Sequence, residues 1–187
     1  MLLGVMARKR ILFPEKLIAA CPPPPEGYDA WLDQSPAEWR AVFQAHPEAH
    51  VLAAAIDVVE RLVMPIWSRG RPQDVRPSKA LEAARMFLRD GSKDAIEYAA
   101  VAAKACVAAR RESLGHEHRA AEAARAIARS IGQDGRLSLS LVLEALVAVE
   151  ETLSYELSVE AVYDRERAIR AAMLGALFDS LHRVPVC

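Results

Sequence analysis

What the chain has little of narrows its function first. Positive charge is not in excess, with 24 Lys and Arg against 25 Asp and Glu in 187 residues, so the broad positive field of a non-specific nucleic-acid binder is missing. Aromatic residues make up 6% although hydrophobic residues reach 52%. Much of that difference is alanine, the strongest intrinsic helix former, which favours helix over sheet. The three cysteines, Cys21, Cys106 and Cys187, are an odd number at wide spacings, unlike a disulfide framework or paired metal ligands, and fit a reducing compartment. No uncharged apolar run approaches the roughly 18 residues of a membrane span. The first ten residues place Arg8, Lys9 and Arg10 after a short apolar stretch, the reverse order of a secretory signal. A cytoplasmic protein is expected.

Catalytic patterns are also missing from the sequence. Carboxylate-bridged metal bundles need Glu-x-x-His pairs, and the chain has none. The H-E-x-x-H and G-x-S-x-G motifs and the glycine-rich phosphate loops are absent as well, and eight glycines, several at expected helix ends, leave little material for such a loop. His116-Glu117-His118 sets two histidines at i, i+2, about 200° apart around a helix, too far round to share one ion. Cys106 falls on an alanine stripe and reads as a small core hydrophobe. The expectation is a protein that is not an enzyme and carries neither metal nor cofactor.

What is there reads as helix almost throughout. Residues 1–34 form an arm, because Pro14 and then Cys21-Pro-Pro-Pro-Pro-Glu-Gly27 forbid helix and favour an extended polyproline segment. That arm is either a plain surface connection or a proline-rich docking ligand, the second lacking flanking basic residues. The helical domain spans 35–187. Ser35-Pro-Ala-Glu38 is a capping box that starts a short helix carrying Trp39, Val42 and Phe43 on one side. From Pro47, residues Val51, Leu52, Ala55, Ile56, Val59, Leu62, Val63 and Ile66 follow a buried helical stripe, and Pro65 predicts a bend or an end near Trp67. Pro77 starts the next helix, Gly91 caps it, and Ser92 opens an alanine-lined helix to about Ser113. Further helices are expected over about 116–131, 137–156 and 159–182. The predicted fold is an all-α single-domain bundle or array of about six to seven helices.

One stretch is more specific than the rest. Val58-Val-Glu-Arg-Leu-Val-Met-Pro-Ile-Trp67, then Asp74-Val-Arg-Pro-Ser-Lys-Ala-Leu-Glu-Ala-Ala-Arg85 with Phe87 and Gly91, then the alanine-rich helix ending Ala108-Ala-Arg-Arg111 together resemble the helical immunity-protein family of bacterial toxin–antitoxin systems. The resemblance covers about residues 57–111 and implies a small intracellular protein that neutralises a cognate toxin by direct binding. Read without the family, Arg76-Pro77 fixes where the helix begins and Asp74 is close enough to cap it or to hold Arg76. Lys79, Glu82 and Arg85 share one flank at i, i+3, i+6, as a structural ion network or a recognition surface.

Charge is unevenly spread along the chain. Residues 61–91 hold seven basic side chains, Arg71, Arg76, Lys79 and Arg85 among them, against Asp74, Glu82 and Asp90, whereas residues 144–166 hold seven acidic side chains against Arg165. Two candidate partner-binding surfaces follow: a basic one around Arg71, Asp74, Arg76, Lys79, Glu82 and Arg85, and an acidic one around Glu144, Glu151, Glu156 and Glu160. An exposed acidic flank suits a basic partner such as a nuclease toxin, and its plain alternative is the solvated face of a terminal helix pair. The competing function is a helical regulator or adaptor, either associated with nucleic acid through 61–91 or a subunit of a larger bacterial assembly. A helix-turn-helix around Arg89-Asp-Gly-Ser92 is a weak candidate, since Lys93, Asp94 and Glu97 give the second helix mixed charge.

Overall fold

The helix signals act where the sequence places them. In the computed structural model, which describes residues 15–156 and 162–183, a helical turn α1 at 15–19 precedes the extended prolines. Ser35 then accepts a hydrogen bond from Ala37 N while its own N–H donates to Glu38, the reciprocal capping box. It opens a 3-10 turn, Pro36–Glu38, that runs into α2, Arg40–Gln44. There follow α3, Glu48–Leu62; α4, Met64–Gly70; α5, Arg76–Asp90; α6, Lys93–Arg111; α7, Gly115–Arg129; α8, Leu139–Glu156; and α9, Val162–Arg183. Among the described residues the fold is all-α in one compact domain, with seven substantial helices and no strand. An isolated antiparallel bridge joins Ile131 to Leu137.

The stops behave as expected in kind, with one shift in place. Gly91 takes the left-handed conformation, φ 60°, that closes α5, and Ser92 accepts from Ala95 N to open α6. The break forced by Pro65 falls earlier than Trp67: α3 ends at Leu62 and Val63 is its C-cap. The cause is the proline ring, which excludes the carbonyl four residues back and removes one donor. In the first turn of a new helix that missing donor costs nothing, so Pro65 begins α4 instead of ending α3.

Packing follows from side-chain size. Short connections set α5, α6, α7 and α8 against one another in chain order, while α3 packs on α9, α8 and α5. α3 buries Val51, Leu52, Ala54, Ala55, Ile56, Val58, Val59 and Leu62, more than half its circumference, and so occupies the centre. α7 is enclosed differently, burying Ala120, Ala121, Ala123, Ala124, Ala126, Ile127 and Ala128 together with Glu122. Alanines let neighbouring backbones approach closely, at the expense of apolar area per residue.

The described part of the arm is not free to act as a ligand. Leu17, Ile18, Cys21, Tyr28 and Trp31 pack against the core, and the Tyr28 ring sits 4.4 Å from that of Phe178. Trp31 O accepts from Nε1 of the fully buried Trp39. Pro22 lies so close to α9 that a Cβ at Gly175 would overlap its carbonyl oxygen and come within 2.8 Å of its carbonyl carbon. The start of the polyproline segment, Pro22 and Pro23, therefore lies against the protein's own last helix. Residues 1–14 and Cys187 lie outside the described residues.

Candidate functional site

The D-x-R-P segment builds a corner where the N-terminus of α5 meets the turn between α6 and α7. Asp74 performs both expected roles: its Oδ1 accepts from Arg76 N at 3.1 Å, capping α5, and its two oxygens accept from the Arg76 guanidinium at 2.9 and 2.7 Å. Arg76 reaches on to Glu112 beyond the end of α6. Arg71 donates to Glu117 at 2.7 Å and to the Glu112 backbone carbonyl, with its guanidinium 5.7 Å from the centre of the Trp67 ring. Trp67 Nε1 in turn donates to Asp74 O at 2.7 Å. These bonds tie α4, α5, α6 and α7 into one rigid piece.

Two helix starts in this corner carry residues that neither capping nor packing selects. Val75 is the N-cap of α5 and Leu114 the N-cap of α7, and neither makes a side-chain cap bond. Aliphatic residues are the poorest N-caps. They are also open to solvent, Val75 at 51% and Leu114 at 86%, as is Tyr155 near the end of α8 at 68%. The Tyr155 ring lies beside Gly115, where an added Cβ would be 3.7 Å away. Exposed apolar side chains, one of them aromatic, close to fixed arginines and carboxylates have the composition of a protein-binding patch.

Electrostatics hold the corner. The Arg76 guanidinium keeps the Asp74 carboxyl below its ordinary 3.8, so this bond stabilises the fold above that pH and loses its contribution as the carboxyl protonates. Asp74→Asn is expected to cost about 2 kcal/mol at pH 7, with the gap to the parent protein closing below about pH 4. Urea denaturation of both proteins at pH 7 and pH 3.5 checks this, and a pH-independent gap contradicts it. Deeper in, burial pushes the Glu122 carboxyl up, but hydrogen bonds from Arg125 and Arg110 outweigh it and leave the group below its usual range. Burial also pushes the Cys106 thiol up to about 12, and its S–H lies 3.6 Å from Arg76 O, the setting of an inert core thiol.

The other candidate residues are dispersed. Lys79 and Glu82 stand exposed on α5. Arg85 does not pair along its own helix with Glu82; it donates to Asp57 at 2.7 Å and Glu60 at 2.6 Å on α3, and Asp57 also accepts from Ser180 of α9. The charges of 144–166 are largely matched from neighbouring helices. Glu144 lies 3.5 Å from Arg125, Glu151 3.2 Å from Arg119, and Glu150 accepts from Arg170 at 2.6 Å. Glu160 and the side chain of Glu156 lie outside the described residues. His116-Glu117-His118 is spent on structure, with Glu117 on Arg71 and His118 Nδ1 3.0 Å from Arg110 O. Among the described residues no group of three or more His, Cys, Asp or Glu could hold a metal ion, and no helix is long and apolar enough to cross a membrane.

Glu112, Leu114 and Tyr155 were not singled out by sequence, and Glu117 drew notice only within His116-Glu117-His118. The signal for Leu114 was present as an apolar residue at an N-cap position, whereas Glu112 and Glu117 are assigned only by tertiary contact. Comparison with protein families, with curated proteins and with solved structures finds no match to this chain.

Proposed function

We propose that the protein is a non-enzymatic, cytoplasmic immunity protein that binds and occludes a bacterial toxin through the corner formed by Val75, Leu114 and Tyr155. The observation that carries this reading is Leu114. It is 86% exposed at a helix start that favours Ser, Asp or Asn, and it is presented on a frame held rigid by Arg71, Asp74, Arg76 and Glu112. A preformed surface loses little entropy on binding. The D-x-R-P pattern that carries the family resemblance is the same segment that builds this frame.

The nucleic-acid alternative is weakened by charge pairing. Of the basic residues in 61–91, Arg61, Arg71, Arg76 and Arg85 are each engaged by carboxylates, which leaves little free positive surface for phosphates. Co-expression with the product of each adjacent reading frame tests the proposal, with growth rescue and co-purification as readouts. Rescue by the parent protein is expected, together with a loss of about 30-fold or more in affinity in Leu114→Asp or Tyr155→Ala, as for an anchor residue. Both side chains are exposed, so melting temperature should hardly move. If no neighbouring product binds, or if both variants rescue as well as the parent, the reading is wrong.

A further inference from the structure

A second feature lies roughly 20 Å along α7 from Leu114, at the rise of a helix. Between α6 and the end of α7 is an open cleft of about 400 Å³, within the size range of small-ligand sites. Its floor is made of short side chains, Ala100, Ala103 and Ala128 among them, and its walls carry Lys104, Arg125 and Arg129. Spacing explains the shape: residues 100, 103 and 104 share one flank of α6, and 125, 128 and 129 one flank of α7. Alanine at the facing positions leaves the space that larger side chains would fill.

The charge of this cleft is unbalanced. Arg125 is held by both oxygens of Glu122 and lies 3.5 Å from Glu144, so its guanidinium is fixed and largely neutralised. Lys104 and Arg129 are exposed and have no carboxylate partner among the described residues, and no acidic residue lines the cleft. In a protein where most interhelical arginines are paired, two unmatched cations over an apolar floor ask for an anionic group on an apolar body. We infer that the α6–α7 cleft binds a small amphiphilic anion, its carboxylate or phosphate between Lys104 and Arg129 and its apolar part against the alanines. This site is separate from the toxin-binding corner and does not depend on that reading.

The test is isothermal titration calorimetry on the full chain with 2-naphthoate, 2-naphthyl phosphate and the uncharged 2-naphthamide. Saturable 1:1 binding of at least one anion is expected, about tenfold or more tighter than the amide, and the tighter anion identifies the head group. Lys104→Ala/Arg129→Ala should abolish the preference for charge, and both residues are exposed enough for the fold to survive their loss. Ala100→Leu, at an exposed position, should block all three probes by filling the floor while leaving the cations in place. Absence of saturable anion binding, equal affinity for anion and amide, or full preference retained in the double variant each overturns the inference.

Discussion

Arg170→Ala is expected to destabilise the protein by about 3–5 kcal/mol at pH 7, the range for stripping one partner from a buried ion pair. Arg170 and Glu150 side chains are only 13% and 11% exposed. The guanidinium donates to Glu150 at 2.6 Å and to the Leu32 backbone carbonyl at 3.3 Å, with Glu166 at 3.4 Å. Burial already pushes the Glu150 carboxyl up, with Arg170 as the chief opposing influence, so removing Arg170 must push it further. A carboxyl whose folded value lies above its unfolded one binds its proton more tightly when folded. Stability of the variant should therefore recover as pH falls from 7 towards 5, whereas the parent changes less. Replacing the pair together, Arg170→Met with Glu150→Leu, should cost much less than the single change, because no charge is left stranded. Urea denaturation at pH 7 and 5 reads all three proteins. A loss below about 1 kcal/mol in the single variant, on the scale of a surface pair, contradicts the buried-pair account.

Gly175→Ala is the second large effect, and here the sign is informative. In an unobstructed helix the change would stabilise by about 1 kcal/mol, the difference in propensity. At Gly175 the new Cβ meets backbone of Pro22, not the end of a flexible side chain. Backbone can yield only by moving the whole segment. A net loss of about 2 kcal/mol is expected, in the range of overpacked sites, with the prolines lifted from α9 and the arm opened to protease. Thermal melts with limited proteolysis followed by mass spectrometry decide it. A variant more stable than the parent, with an uncut arm, would show that the contact is not there.

Much of the fold was legible because the relevant physics is local. Caps at Ser35, Ser92 and Gly91 and the proline at 77 each act within one helical turn, and their geometry is as their spacing implies, while Pro65 starts α4 instead of ending a helix near Trp67. The central position of α3 was partly visible in its stripe, but burial of Ala54 and Val58 depends on helices distant in sequence. Charge was the poorest guide. A linear count finds a basic stretch and an acidic one, yet Arg119 and Arg125 of α7 meet Glu151 and Glu144 of α8, and Arg85 of α5 meets α3. Which carboxylate faces which guanidinium is a property of helix packing, and no window of sequence contains it. The corner was half legible: Asp74 and Arg76 are neighbours in the chain, while Glu112 and Glu117 arrive only when α6 turns into α7.

The contact between Pro22 and Gly175 also sets an order in time. The α5 to α8 series joins helices adjacent in the chain, so each contact closes a short loop and forms early and fast. Pro22 and Tyr28 dock on α9, across most of the length of the polypeptide, and that closure has to wait until α9 lies on α3. The contact of Tyr28 with Phe178 should accordingly be among the last events of folding, and during synthesis the arm must stand exposed until the distant helix that receives it has been made.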